Sequence, residues 1–353
     1  MIIHDFSHLS ARNLYVAVGQ AKAPKVNGKY DTDSFFPFYM HLMLNSLRLA
    51  SKKFKDYGET VLALDARGGN WRKDIFPDYK RRRKSSRDES DIDFDSFYER
   101  VNEFVEVLGS IFPYKVVHVE KAEGDDVIGV LAKKYAPIEK TVVVTSDKDM
   151  KQVLEYGCDL FDPIKMKFIK MSDEELKKWK IEHILCGDDG DDIPHIKRGT
   201  QFTDNFISFL RNKDIHVKTV QEFEQLAISQ KLYDEYDVWK ETKKDGKFKD
   251  IFKPTPFGPS GAEKFAKDLA ENLKSNPLYI KHFKRNKELV LFEHIPDWLQ
   301  ENIIKEYESI EMTHNINEIF QFLTKNSLTK LVMDLSDFDK GKSQNLGSVS
   351  DWV

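Results

Sequence analysis

Apolar residues gather in short runs, separated by longer stretches where they recur every three to four positions. Residues 2–6, 61–64, 116–119 and 141–144 are such runs, rich in β-branched side chains, and predict strands buried on both faces. Residues 35–54 and 94–111 carry the helical period, and each intervening stretch is long enough for a crossover helix. This alternation predicts an α/β fold, a mostly parallel central sheet with helices on both faces. Ser172-Asp173-Glu174-Glu175 resembles a capping box opening a helix that runs through Leu185 and ends at Gly187. Beyond it the chain turns helical, lysine-rich and aromatic, and is broken by Pro254, Pro256, Gly258, Pro259 and Gly261. The expected organisation is an α/β domain over 1–187, a smaller helical region over 188–336 with an insertion at about 200–253, and a mobile tail over 337–353. No internal repeat is visible.

Composition narrows the class. With 40% hydrophobic and 32% charged residues among 353, a sizeable core is expected and wholesale disorder is not. No apolar run reaches the roughly 20 residues a bilayer requires, and Met1-Ile2-Ile3-His4-Asp5 opens no signal peptide, so no membrane association is expected. Cys158 and Cys186 fit no disulfide or zinc framework, which makes a reducing cytoplasm the expected compartment. Of ten histidines none forms a metal-spaced pair, and His4 and His8 beside Asp5 read as structural.

Acids stand at the ends of all four predicted strands. Asp5 closes the first and Asp65 the second; Glu123, Asp125 and Asp126 follow the third; Asp147 and Asp149 follow the fourth. The carboxyl ends of parallel strands share one edge, where ligands bind, so these distant acids are expected to converge. Gathered carboxylates raise one another's pKa values and oppose folding unless a hard divalent cation joins them, and oxygen ligands suit magnesium or manganese. Two such ions about 4 Å apart make a site for in-line phosphoryl transfer. Gly187-Asp188-Asp189-Gly190-Asp191-Asp192 adds acids; it is no EF-hand, because the twelfth position from Asp188 is Gly199. A single strand-end aspartate is usually a helix cap, but the whole set is not explained that way. The net charge of −4 is compatible with a polyanionic partner, since two divalent cations cancel four of these charges.

Eight of the sixteen residues from Arg72 to Arg87 are basic. Either they form a solvated loop or, following a strand-end acid so closely, a phosphate-gripping gateway.

In this order the motifs Asp5-Phe-Ser, Leu64-Asp65, Glu123-Gly-Asp125-Asp126, Thr145-Ser-Asp147-Lys-Asp149 and Gly187-Asp188-x-x-Asp191 resemble those of the 5′-nuclease superfamily, PIN-like in fold. That superfamily includes flap endonucleases and the exonuclease domains of bacterial polymerases, and the likeness is to its T-even-type phage ribonuclease H branch. It extends to Pro254-Thr-Pro256, Asn286-Lys-Glu-Leu-Val-Leu291 and Ile295-Pro296. The resemblance implies two Mg2+ ions, with Mn2+ able to substitute. Asp65, Glu123, Asp125 and Asp147 would hold the first, with Asp5 nearby and Asp126 in support. Asp149, Asp188 and Asp191 would hold the second, directly or through water. The chain departs from the family at Asp191-Asp192, where Asp-Asn is usual.

The resemblance makes residues 71–95 a helical arch for a single 5′ strand, with Lys80 stabilising charge on the scissile phosphate and Arg72 assisting. Nucleic-acid contacts are then expected from Lys73, Tyr79, Arg81, Arg82, Arg83 and Lys84, and in the helical region from Lys197, Arg198 and Lys264. Tyr79 would stack on a base, although a core role suits it equally. Ile193-Pro-His195-Ile-Lys197-Arg198-Gly199 stands where the family carries a glycine-rich, potassium-holding hairpin, so potassium lacks its usual sequence here. The implied activity is cleavage of RNA primers on DNA, nicked duplexes and 5′ flaps during lagging-strand replication, in a host cytoplasm if phage-encoded. The implied partners are DNA and RNA/DNA duplexes, a single-strand-binding protein and a sliding clamp, with the enzyme a monomer. Two alternatives compete. A haloacid-dehalogenase-type phosphatase also places Asp-x-Asp after a strand, but Lys151 stands where that family has a small residue. A non-catalytic nucleic-acid-binding protein of the same fold is the other.

Overall fold

The computed structural model describes residues 1–198, 201–227, 229–242 and 257–339. Gly199, Pro254-Thr-Pro256 and residues 340–353 of the expected tail lie outside these. The chain forms two compact units, one of Met1–Trp71, Arg83–Ser172 and Ile295–Val353, the other of Arg72–Arg82 and Asp173–His294.

The first unit holds the strands β1 (Ile2–Asp5), β2 (Lys25–Val26), β3 (Lys29–Tyr30), β4 (Thr60–Ala63), β5 (Tyr114–Val117), β6 (Val142–Val144), β7 (Asp159–Asp162) and β8 (Lys167–Ile169). Six of them form one sheet in the order β5-β4-β1-β6-β7-β8, and β2 pairs separately with β3. All ladders of the large sheet are parallel except β7 with β8. The helices numbered here are α1 (Phe6–Ala21), α2 (Thr32–Lys53), α3 (Arg72–Ile75), α4 (Arg82–Asp88), α5 (Phe94–Ile111), α6 (Gly124–Tyr135) and α7 (Asp173–Cys186).

The connections from β1 to β4 and from β4 to β5 step one way across the sheet, while β5 to β6 steps back past β1. Right-handed crossovers then put α1, α2 and α5 on one face and α6 on the other. The first face is an aromatic core: Phe36, Tyr39, Phe97 and Phe104 are buried, with Tyr39 meeting Phe97 edge-on at 5.1 Å between ring centres. Ile319 and Leu323 of the helix Ile316–Lys325 complete that core. The strand order reverses between β1 and β6, the switch point at which ligands bind in open sheets.

The expected strands agree closely for β1, β4 and β6, and the three expected helices form as α2, α5 and α7. β5 begins two residues before the apolar run that predicted it. β7 and β8 were not expected, nor was α1, which starts directly after Asp5 with that residue as its N-cap. No helix among the described residues is long and apolar enough to cross a membrane.

In the second unit α7 packs with the helices Pro259–Lys267 and Pro277–Val290. Leu185, Ile196, Ala262, Phe265 and Tyr279 form their shared core. Asn286, fully buried, stitches them by donating to Ile184 O at 2.8 Å and Pro194 O at 3.0 Å. The expected insertion contains the helices Gln201–Asn212, Val220–Ala227 and Gln230–Thr242. Phe206, Phe209, Phe223 and Tyr236 give them a small core of their own.

Gly187 ends α7 as expected, and its φ of 67° lies in the left-handed region. An added Cβ would stand 2.3 Å from Ile193 O and 2.8 Å from Pro194 O, so both conformation and space demand glycine. Gly187→Ala is expected to lower stability by at least about 2 kcal/mol. A urea titration checks this: the midpoint falls with little change in slope.

Candidate active site

Register explains how the acids of the first unit come to one edge of the sheet. Asp5 pairs with Ala63, two residues before Asp65, and Ala63 pairs with Val117, six residues before Glu123. His4 pairs with Val144, three residues before Asp147. All lie at the carboxyl edge of the parallel strands.

Local hydrogen bonds then orient each side chain. Asp5 is buried and accepts from His8 N at 2.9 Å and from the Thr145 hydroxyl at 3.0 Å. The same Thr145 Oγ1 accepts from Asp147 N at 3.1 Å, so one threonine ties Asp5 to the Asp147 backbone. Asp147 in turn caps the 3-10 turn Lys148–Tyr156 by accepting from Asp149 N at 2.8 Å. On the other side of β1, Asp65 accepts from Gly124 N at 2.7 Å, which sets it against the start of α6 between Glu123 and Asp125. Asn70 donates to Glu123 Oε1 at 3.1 Å.

Asp5, His8 and Asp147 each offer one ligand atom within 4.8 Å of the others. His8 is the unexpected member, with Nε2 also 2.7 Å from Ser146 Oγ. His8 stood out in the sequence only as a neighbour of Asp5 and read as structural, because the helix whose first turn carries it follows no visible pattern. Thr145 and Asn70 were missed for a similar reason: each is an ordinary polar residue until its acid is placed beside it. Asp126 differs from its neighbours. It is fully buried, and Oδ2 accepts from Glu123 N at 2.9 Å and Trp71 Nε1 at 3.1 Å, so it holds the start of α6 rather than opening to a ligand.

Burial pushes the Asp5 carboxyl up to about 6, against the opposing pull of the His8 N–H and the Thr145 hydroxyl; Asp147 adds a smaller upward push.

The second unit holds the remaining residues. Asp188 is buried and accepts from Gly190 N at 2.8 Å. Asp191 receives the Tyr79 hydroxyl at 2.9 Å and stands 3.6 Å from the Lys80 ammonium, while its carbonyl accepts from Lys80 N at 3.0 Å. Asp192 is ion-paired to the Arg82 guanidinium and accepts from Arg82 N at 2.9 Å. Partial burial opposes the charge on Asp192, but the Arg82 hydrogen bonds outweigh it and hold the carboxyl below the usual range.

Three expected contacts sit differently. Tyr79 is not presented to a base: it is buried among Ile184, Ile193, Leu289 and Leu291, the core role that its sequence context also allowed. Arg72 is buried too, with Nε donating to Leu289 O at 2.8 Å, so its charge is not at the surface to assist at a phosphate. The Lys197 ammonium is boxed by Phe257, Phe265 and Tyr279 at 5.1, 5.2 and 5.6 Å from the ring centres, a cation–π seat rather than an open contact. Lys73, Arg81, Arg82, Arg83, Arg198 and Lys264 are exposed, and the side chain of Lys84 lies outside the described residues. Within the expected arch, Asp91 binds Lys25 at 2.5 Å and Asp93 caps α5 through Ser96 N at 3.1 Å.

A mostly parallel sheet whose switch point gathers carboxylates is the frame of a metal-assisted hydrolase. The family model described as the 5′-3′ exonuclease, N-terminal resolvase-like domain matches residues 5–182, and the chain belongs to that family of nucleases, which hydrolyse phosphodiester bonds. Over 303 residues the chain is 26% identical to the ribonuclease H of Enterobacteria phage T4, covering 84% of this chain and 86% of that protein. It is 34% identical over 114 residues to DNA polymerase I of Pseudomonas aeruginosa, covering 32% of this chain and 12% of the polymerase. Among solved structures, it is similar to a bacteriophage T5 flap endonuclease in a pseudo-enzyme-product complex with DNA and metal ions, at 16% identity and a TM-score of 0.46, covering 87% of this chain and 99% of that one.

The raised Asp5 pKa has a consequence for stability. A group whose folded pKa exceeds its unfolded value contributes fully below the unfolded pKa, 3.8, and loses that contribution as pH rises through about 6. Without divalent ions the protein is therefore expected to lose about 1–3 kcal/mol between pH 4 and pH 7 from this residue. Asp5→Asn should remove that loss, making the variant the more stable form at pH 7.5 in chelator. Urea midpoints measured across the pH range test it, and a variant destabilised equally at every pH would refute the assignment.

Proposed function

We propose that this chain is a magnesium-dependent 5′ nuclease that hydrolyses RNA primers on DNA, nicked duplexes and 5′ flaps, leaving a 5′-phosphate and a 3′-hydroxyl. The observation that carries the reading is the buried Asp5 carboxylate, held beside Asp147 and His8 at the switch point of the sheet. Ionised, that carboxylate is costly to bury, and a hard divalent cation is what relieves it. The carboxylates of the expected donor set are hard oxygen ligands, which suit magnesium or manganese.

In this reading Asp65, Glu123, Asp125 and Asp147 hold the first ion with Asp5 close by. Asp149, Asp188 and Asp191 hold the second. The bound ions would supply charge neutralisation at the scissile phosphate and an acidified water. Thr145 and Asn70 keep the Asp5 and Glu123 carboxylates aimed, so that little reorganisation accompanies reaction. The Lys80 ammonium, now close to Asp191, would balance negative charge on the phosphate. The exposed Lys73, Arg81 and Arg83 would draw in the strand. The relative named ribonuclease H, which shares most of the chain, favours primer removal in lagging-strand replication as the role. A single-strand-binding protein and a sliding clamp are the corresponding partners, and the host cytoplasm the setting.

Asp147→Asn and Asp125→Asn should each lower cleavage of a labelled 5′-flap duplex by about 100-fold or more, and Lys80→Ala by a comparable factor, with duplex binding kept. Matched RNA- and DNA-flap digests with and without chelator read this out. Full activity in both aspartate variants overturns the site. Cleavage of a small phosphate ester without nuclease activity favours a haloacid-dehalogenase-type phosphatase, and metal-independent binding with no product favours a non-catalytic binding protein.

A further inference from the structure

The turn before α4 and the acidic loop after α7 are locked together in a way the proposed chemistry does not itself require. Lys80 and Asp192 both have left-handed backbones, with φ of 54° and 59°, a conformation non-glycine residues keep only when their surroundings impose it. Beside the Tyr79 and Lys80 contacts to Asp191, Arg82 makes a second link between the two. Its backbone N–H and guanidinium both bind Asp192, and Nη2 reaches Asp189 Oδ1 at 2.9 Å and Asp189 O at 2.5 Å. The two halves of this grip are unequal. The Asp189 side chain is 90% exposed and contributes little in water, whereas that of Asp192 is only 13% exposed and takes both a backbone and a guanidinium donor. Between Lys80 and Arg82 the chain has no slack, so the grip on Asp192 also governs the Tyr79–Lys80 pair lying on Asp191.

We propose that Arg82 is a positioning residue: by clamping Asp192 it holds Tyr79 and Lys80 on Asp191, and so sets both the aim of that carboxylate and the reach of the Lys80 ammonium. The proposal rests on the roles given above to Asp191 and Lys80. It moves Arg82 from a phosphate contact to an internal strut.

Three variants separate the possibilities. Asp192→Asn keeps a residue comfortable in the left-handed region but removes the charge, Arg82→Ala removes the strut, and Arg82→Lys keeps the charge without the fork. In metal-free protein, trypsin should cut after Lys80 and Arg81 about tenfold faster in Arg82→Ala and Asp192→Asn than in wild type. Calorimetric Mg2+ affinity should fall by about tenfold in both. On a labelled flap, kcat should drop by about tenfold with KM within about twofold, the double variant should be no worse than either single one, and Arg82→Lys should recover part of the loss. Unchanged proteolysis and Mg2+ affinity overturn the proposal, above all if Arg82→Ala raises KM and lowers the salt slope by about one, the mark of a phosphate contact. The proteolysis and calorimetry need no turnover. A wild type that cuts nothing therefore removes the nuclease reading while these two measurements still decide the clamp.

Discussion

Packing carboxylates at the end of a sheet is an electrostatic problem before it is a catalytic device. Like charges brought within a few ångströms oppose folding, and the first unit meets that opposition with fixed donors. Asp5 sits at the start of α1 and Asp65 against the start of α6, where backbone N–H groups point outward with the positive end of the helix dipole. Asp147 caps its own turn, and the Thr145 hydroxyl bridges to Asp5. Asp5 still titrates well above an ordinary aspartate, chiefly because it is buried, with Asp147 adding a smaller push. The fold thus supports the cluster while keeping one of its carboxyls at a cost of burial.

What the sequence made legible follows from burial. β1, β4 and β6 lie in the middle of the sheet, so their apolar runs are nearly continuous and their ends are sharp. β5 is an edge strand, and the apolar run that marked it continues into the loop beyond, which displaced the reading by two residues. β7 and β8 are three or four residues long and flanked by charge; only pairing across β6 reveals β7, and β8 follows by folding back on it. α1 was hidden because its first turn, Phe6-Ser-His8-Leu9, continues the apolar run of β1 while switching period.

The acids were legible as a set because parallel strands must end together, whatever connects them. Individual roles were not. Asp126 has the same chemistry and nearly the same position as Asp125, yet one helical step turns it inward to Trp71. Tyr79, Arg72 and Lys197 looked like nucleic-acid contacts because their types allow it. Each instead spends its polar end on its own chain, at Asp191, at Leu289 and in an aromatic box. Asp192, a departure from the family pattern, becomes intelligible only once Arg82 is seen beside it.

The route of the backbone has one more consequence. Ile319, Leu323, Leu328 and Leu331 belong to the same aromatic core as Phe36 and Phe97, although roughly three quarters of the chain separates the first groups from the last. A ribosome delivers the sheet long before it delivers the residues that seal one face of it, and the larger part of the second unit, Asp173–His294, emerges in the interval. The nascent first unit must therefore wait with an open apolar face, which makes the synthesis of residues 316–338 the step that commits the sheet to its native packing.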